Sequence, residues 1–225
     1  MEKNIPVLYK EKSECCGCGA CLNICPRNAI SMVEDECGFL YPEIDDNVCI
    51  RCKKCTLVCA FQNINENNKP LKTYAAVSKN KEQAVKSASG GVFAAIAKDF
   101  LNKGGIVFGA AFNEKKEVLH KSINKIEELY LLQGSKYVQS KIGNTYKEVK
   151  DLLIDGNKVL FSGTPCQVAG LKSYLGKEYD GLLTVDIICH GVPSEKIFQS
   201  YLQFMEGKYG GGLTYFTFRD KNIGW

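Results

Sequence analysis

From Leu71 onward, short apolar runs alternate with stretches whose apolar residues recur every three or four positions. The runs predict strands at TYAAVS (73–78), IVFGAAF (106–112), EVLHKSI (117–123), KVLFSG (158–163), LLTVDIIC (182–189) and LTYFTFRD (213–220). The periodic stretches predict helices at GGVFAAIAKDFLNKGG (90–105), INKIEELYLLQ (123–133), residues 146–153, QVAGLKSYL (167–175) and SEKIFQSYLQFMEG (194–207). Strands alternating with helices predict an α/β domain with a largely parallel sheet. In such sheets ligands favour the loops beyond the carboxyl ends of the strands.

The first 63 residues follow no such pattern. Ten of the 12 cysteines lie between Cys15 and Cys59. Cys15, Cys18, Cys21 and Cys25 read C-x2-C-x2-C-x3-C, followed by Pro26; Cys49, Cys52, Cys55 and Cys59 repeat the spacing, followed by Ala60. The first copy matches the bacterial ferredoxin run, whose fourth cysteine serves the other cluster in two-cluster proteins. A cubane offers four iron corners, each suited to a soft thiolate. Three cysteines two residues apart can wrap three corners, and the fourth thiolate arrives from the other repeat. One 4Fe–4S cluster is therefore assigned to Cys15, Cys18, Cys21 and Cys59, the other to Cys49, Cys52, Cys55 and Cys25. Zinc is the competing metal, but its sites use cysteine pairs, often with histidine, and this segment has no histidine. Cys16 and Cys37 stand outside both quartets and read as small packed residues. A polar linker, NINENNKP (63–70), follows, with the module ending near Ile64. The fold class is thus α+β: a small bacterial-ferredoxin-like two-cluster domain (1–63), then the α/β domain.

Charge and termini add less. Net charge is −2 over residues 1–63 and +6 over 64–225. The basic excess forms no run or stripe interleaved with aromatics, so it suits an anionic ligand better than nucleic acid. MEKNIPVLYKEK holds no apolar run of signal-peptide length, and no stretch approaches the ~20 apolar residues of a membrane span. The expectation is a cytoplasmic protein without membrane association, so the cysteines read as metal ligands rather than disulfides.

Four loops carry further candidate chemistry. SASGGVF (87–93) places Ser89, Gly90 and Gly91 before a helix, where free N–H groups suit a phosphate or Ser89 simply caps the helix. QGSKYVQS (133–140) brings Ser135 and Lys136 after a helix, and its Gly134 also fits a helix C-terminus. FSGTPCQVAG (161–170) runs from a strand through Gly163, Thr164, Pro165 and Cys166 into a helix, and a thiolate at Cys166 would gain from the helix N-terminus. DIICHGVPS (186–194) ends a strand with Cys189 and His190.

SASGGVF, QGSKYVQS, VLFSGTPCQVAGL, VDIICHGVPS and FRDKNIGW, in this order behind a two-cluster module, resemble the coenzyme F420 hydrogenase/dehydrogenase beta-subunit family. The resemblance covers nearly the whole chain. It implies an iron–sulfur flavoprotein oxidoreductase, with FAD, that moves electrons between a soluble hydride carrier such as coenzyme F420 and one-electron centres, working with a redox partner protein or subunit. It also implies that Ser89, Gly90, Gly91, Ser135 and Lys136 lie at the flavin's phosphates, and Gly163, Thr164 and Pro165 near its ring or ribityl chain. On the same resemblance residues 71–150 are the N-terminal part of the family's domain. Residues 151–225 are then the start of its C-terminal part, and the chain is expected to be truncated after Trp225. No catalytic residue is assigned, and a plain ferredoxin-like carrier docking to a partner enzyme is the rival reading.

Overall fold

In the computed structural model, residues 4–63 and 70–221 are described. The cysteine-rich module is built from two similar halves. In the first, a cysteine loop runs into α1 (Ala20–Ile24), and the chain then enters β1 (Ile30–Glu34). β1 pairs antiparallel with β2 (Leu40–Ile44), from Ile30 opposite Ile44 to Glu34 opposite Leu40. The turn between them is fixed by Asp35, whose carboxylate accepts the N–H groups of Cys37 and Phe39. The second cysteine loop opens α2 (Lys54–Leu57). Leu8, Ile30 and Cys55 form a small core here, with Leu22, Ile24 and Ile44 packed against it. All twelve cysteines are free.

Beyond the linker comes a short helix, α3 (Lys81–Val85), capped by Asn80 through the N–H of Gln83. The α/β domain follows: α4 (Val92–Asn102), β3 (Ile106–Phe112), β4 (Val118–Ile123), α5 (Thr145–Ile154), β5 (Val159–Gly163), α6 (Pro165–Leu175), β6 (Leu182–Asp186) and α7 (Glu195–Tyr209). Strand order is β4-β3-β5-β6. β3 pairs parallel with β5, and β5 with β6; the hairpin partner β4 is antiparallel. The expected fold class, a ferredoxin-like module followed by a largely parallel α/β sheet, is the one observed.

Alternation along β3 and β5 feeds two cores. Phe108, Val159 and Phe161 join Tyr146, Val149 and Leu171 from α5 and α6. Val107, Ala111 and Leu160 join Ala94, Ala97 and Leu101 from α4. The sheet takes strands from both sides of residue 150, and α5 runs through that position. Among the described residues no helix is long and apolar enough to cross a membrane.

Three expected elements differ. TYAAVS makes no strand: the backbone of its last residue bonds once, Ser78 N–H to Gly90 O at 2.7 Å, and the rest has no ladder partner among the described residues. INKIEELYLLQ forms only a 3-10 turn at Ile126–Leu131. LTYFTFRD makes no strand either; Leu213, Phe216 and Phe218 pack on Phe198 of α7 instead. In each case the local pattern was compatible with an element, but tertiary pairing supplied no ladder or full turn. The end of FRDKNIGW and most of NINENNKP, including Ile64, lie outside the described residues.

Candidate functional site

The two cysteine loops share a backbone device. Two and four residues after its first cysteine, each loop enters the left-handed region: Gly17 (φ 64°) and Gly19 (φ 74°) in one, Arg51 (φ 55°) and Lys53 (φ 60°) in the other. Left-handed turns of this kind aim successive N–H groups into a concavity that suits an anionic group. Gly19 and Lys53 also cap α1 and α2, so the third cysteine of each loop sits in the first helical turn. Glycine makes the conformation cheap in the first loop; in the second, each side chain holds it at a cost of roughly 1 kcal/mol.

Each loop borders a cavity. One is lined by Cys15, Cys16, Cys18, Cys21 and Cys59. The other is lined by Cys25, Cys49, Cys52 and Cys55. Apart from Cys16, each cavity thus draws three cysteines from one repeat and one from the other. The thiols feel one another. Burial, then Cys15 and the more distant Cys55 and Cys59, push Cys21 up to about 12. Burial also raises Cys15, against a bond from the Gly17 N–H and with a push from Cys59. Cys55 is raised chiefly by burial, with smaller pushes from Cys52 and Cys25. Crowded, desolvated thiols are hard to ionise alone, and a bound metal reverses that by replacing their protons. The N–H of Ala29 lies 3.2 Å from Cys25 Sγ, a further donor at a ligand sulfur. Among the described residues, no three or more Cys, His, Asp or Glu side chains are grouped as for a single metal ion.

The Cys15 loop is built against α6. Cys18 Sγ would lie 3.1 Å from a Cβ at Gly170, so the helix carries glycine where the loop touches it. Tyr146 Oη shares its proton between the carbonyls of Cys18 (2.8 Å) and Gln167 (2.9 Å), tying loop, α5 and α6 together. Cys16 and Cys166 are within side-chain hydrogen-bonding reach, and Thr164 Oγ1 lies 3.1 Å from Cys166 Sγ. Cys166 does open α6, but its thiol is pushed up, first by the contact with Cys16 and then by burial. A thiol neighbour and desolvation there outweigh what the helix N-terminus would give a thiolate. Cys37 is exposed and lines neither cavity.

Behind the GTPC loop lies a buried chain of bonds. Gln167 Nε2 donates to Ser140 Oγ (2.8 Å), Ser140 Oγ lies 3.0 Å from His120 Nδ1, and His120 Nε2 lies 3.0 Å from the Ser162 carbonyl. A neutral ring protonated on Nε2 satisfies every partner. Burial lowers the His120 pKa to about 4. Sequence reading passed over His120, Tyr146 and Gly170, because contacts about 20 to 150 residues away in the chain leave no local pattern.

The loops expected at a flavin are closed on their own neighbours. The carbonyl of Ser89 accepts from Lys221 Nζ at 2.6 Å. A Cβ at Gly90 would meet the Ala76 carbonyl, so the loop is packed tightly there. Gly91 caps α4 without a side-chain bond. Lys136, lowered to about 8 by burial, donates to the carbonyls of Leu131 (2.9 Å) and Gln133 (2.8 Å). Thr164 forms a capping box with Gln167, and Pro165 is the first residue of α6. Gly163 abuts the Gln167 side chain, and Ser135 is half-buried beside Lys136. None of these eight residues lines either cysteine cavity.

Comparison with known proteins agrees at both ends of the chain. Residues 14–63 match the 4Fe-4S dicluster domain, and residues 156–222 match the C terminus of the coenzyme F420 hydrogenase/dehydrogenase beta subunit. No curated protein matches. A solved chain of the F420-reducing [NiFe] hydrogenase complex from Methanosarcina barkeri matches at 21% identity and a TM-score of 0.44, over 56% of this chain and 47% of that one. The chain therefore spans about half the length of that solved relative.

Proposed function

We propose that this chain, in which a 4Fe-4S dicluster domain precedes a region of coenzyme F420 hydrogenase/dehydrogenase beta-subunit type, is an electron-transfer subunit of an oxidoreductase. The single observation that carries the reading is the pair of cavities, each walled by one quartet drawn three and one from the two repeats, with Cys16 also in the wall of the first. When bound, 4Fe–4S clusters would supply one-electron storage. Cys15, Cys18, Cys21 and Cys59 would hold one, and Cys49, Cys52, Cys55 and Cys25 the other. The left-handed residues of each loop orient N–H groups toward the thiolates, and Tyr146 with Gly170 fixes the first loop on α6.

The repeated C-x2-C-x2-C-x3-C spacing favours iron–sulfur over zinc. Anaerobically purified protein should contain about eight iron and eight sulfide. Cys18→Ser and Cys52→Ser should each remove about four iron, from different clusters, while Cys37→Ser removes none. Loss of about four iron on Cys16→Ser but not on Cys15→Ser would overturn the register.

The finer reading is that FAD exchanges hydride with coenzyme F420 or a similar carrier and passes single electrons to the clusters. Its support is the resemblance alone. As folded, Lys136, Thr164 and the Ser89 carbonyl are spent on local bonds. That state of the loops favours the second reading, a carrier that docks to a partner holding the two-electron chemistry. Flavin extraction separates them: stoichiometric FAD sinks the second reading, and iron without flavin sinks the first.

A further inference from the structure

We propose that the cavity of Cys25, Cys49, Cys52 and Cys55 is the docking end of the electron path, and that it receives an acidic redox protein. This rests on the cluster reading above. The two cavities differ in their surroundings. The Cys15 cavity is backed by the α/β domain, with Cys18 against Gly170 of α6 and its carbonyl held by Tyr146. At the other, Cys52 is exposed, as are Arg27, Ile50, Lys53 and Lys54 around it. Electron transfer to a separate protein requires close approach, and Cys52 is the one cysteine of the two quartets that is exposed.

Charge names the partner. Every charged residue lining this cavity is a cation: Arg27, Lys53 and Lys54. Yet residues 1–63 carry a net −2, so folding gathered these cations and composition did not. Arg27 follows α1, while Lys53 and Lys54 open α2, and the crossed quartet brings the two segments to one rim. Among the described residues none of the three has a carboxylate partner; the module's ion pairs lie at Lys12 with Asp35 and Glu36. Ile50, 55% exposed, supplies an apolar contact within the cationic rim. A cationic rim around an apolar centre steers and orients an acidic partner. In the transfer, the partner's reduced centre would lose one electron and a cluster held by Cys25, Cys49, Cys52 and Cys55 would gain it. No bond is made and no proton moves.

The probe is a reduced two-cluster bacterial ferredoxin of strongly acidic surface, mixed anaerobically with the intact protein. Its rate of electron transfer should fall about tenfold or more between low salt and about 0.5 M. The double variant Arg27→Glu/Lys54→Glu should react about tenfold more slowly at low salt with its iron content unchanged, and Lys79→Glu should react like wild type. Carbodiimide cross-links to the ferredoxin should map to Lys53 and Lys54. A salt-independent rate, a double variant as fast as wild type, or cross-links confined to other lysines would overturn the docking end while leaving the clusters intact. Wild-type protein without iron would instead overturn the cluster reading and the docking end with it.

Discussion

Lys53 and Gly19 occupy equivalent positions in the two cysteine loops, both left-handed, and only one is glycine. Lys53→Gly should therefore raise stability, by up to about 1 kcal/mol, without loss of iron; anaerobic denaturant titration checks this. A fall in stability would mean that the Lys53 side chain contributes more than its backbone costs. His120 makes a second residue-scale prediction. Its folded pKa of about 4 lies below the ordinary 6.5, so the unfolded chain binds the extra proton first. Its contribution is present above about pH 6.5 and fades as pH falls toward 4, by up to about 3 kcal/mol. His120→Gln should flatten the loss of stability between pH 7.5 and pH 5 relative to wild type. Equal pH slopes for the two proteins would sink that account.

At the scale of elements, α6 is decided by what it touches. Its start was readable to within a turn: the helix was expected from Gln167, and the capping box of Thr164 with Gln167 and the proline at the first position begin it two residues earlier, at Pro165. Gly170 was not readable, because a mid-helix glycine costs about 1 kcal/mol and its reason, Cys18, lies 152 positions earlier. Gly170→Val should push the Cys15 loop off the helix, costing about 1–3 kcal/mol and lowering iron toward half while the Cys25 quartet stays loaded. Iron analysis with a thermal melt tests it; full iron at unchanged stability would show that the loop gives way freely. The aromatic stretch 213–220 has the composition of a strand but lies against Phe198, since strand propensity forms no ladder without an edge to pair with.

Across the molecule, the module and the sheet share walls. Asn23 donates to the Gly143 carbonyl, Ser194 Oγ to that of Cys37, and Lys196 Nζ to that of Glu36. The side-chain carbonyl of Asn23 is buried without a partner, and the structure offers no physical account of it. Stripping iron should consequently be felt beyond the cysteines. Amide exchange should rise in the first turn of α6 and around Tyr146, and stay unchanged in α4, which packs on the opposite face of the sheet. Protection lost only within residues 14–63 would show the two parts to be uncoupled.

The amino-acid sequence determined the two cysteine quartets, the α/β alternation and most helix boundaries, because spacing, periodicity and capping are local and are written within a few residues. Only the tertiary structure decided which cysteines share a cavity wall with α6, which loops close on themselves, and where the cations gather. Those outcomes depend on contacts such as Tyr146 with Cys18, Ser194 with Cys37, and Arg27 on the same rim as Lys54. They join segments far apart in the chain. Their energy comes from burial and from polar groups that must find partners once buried, conditions that exist only after the chain has folded.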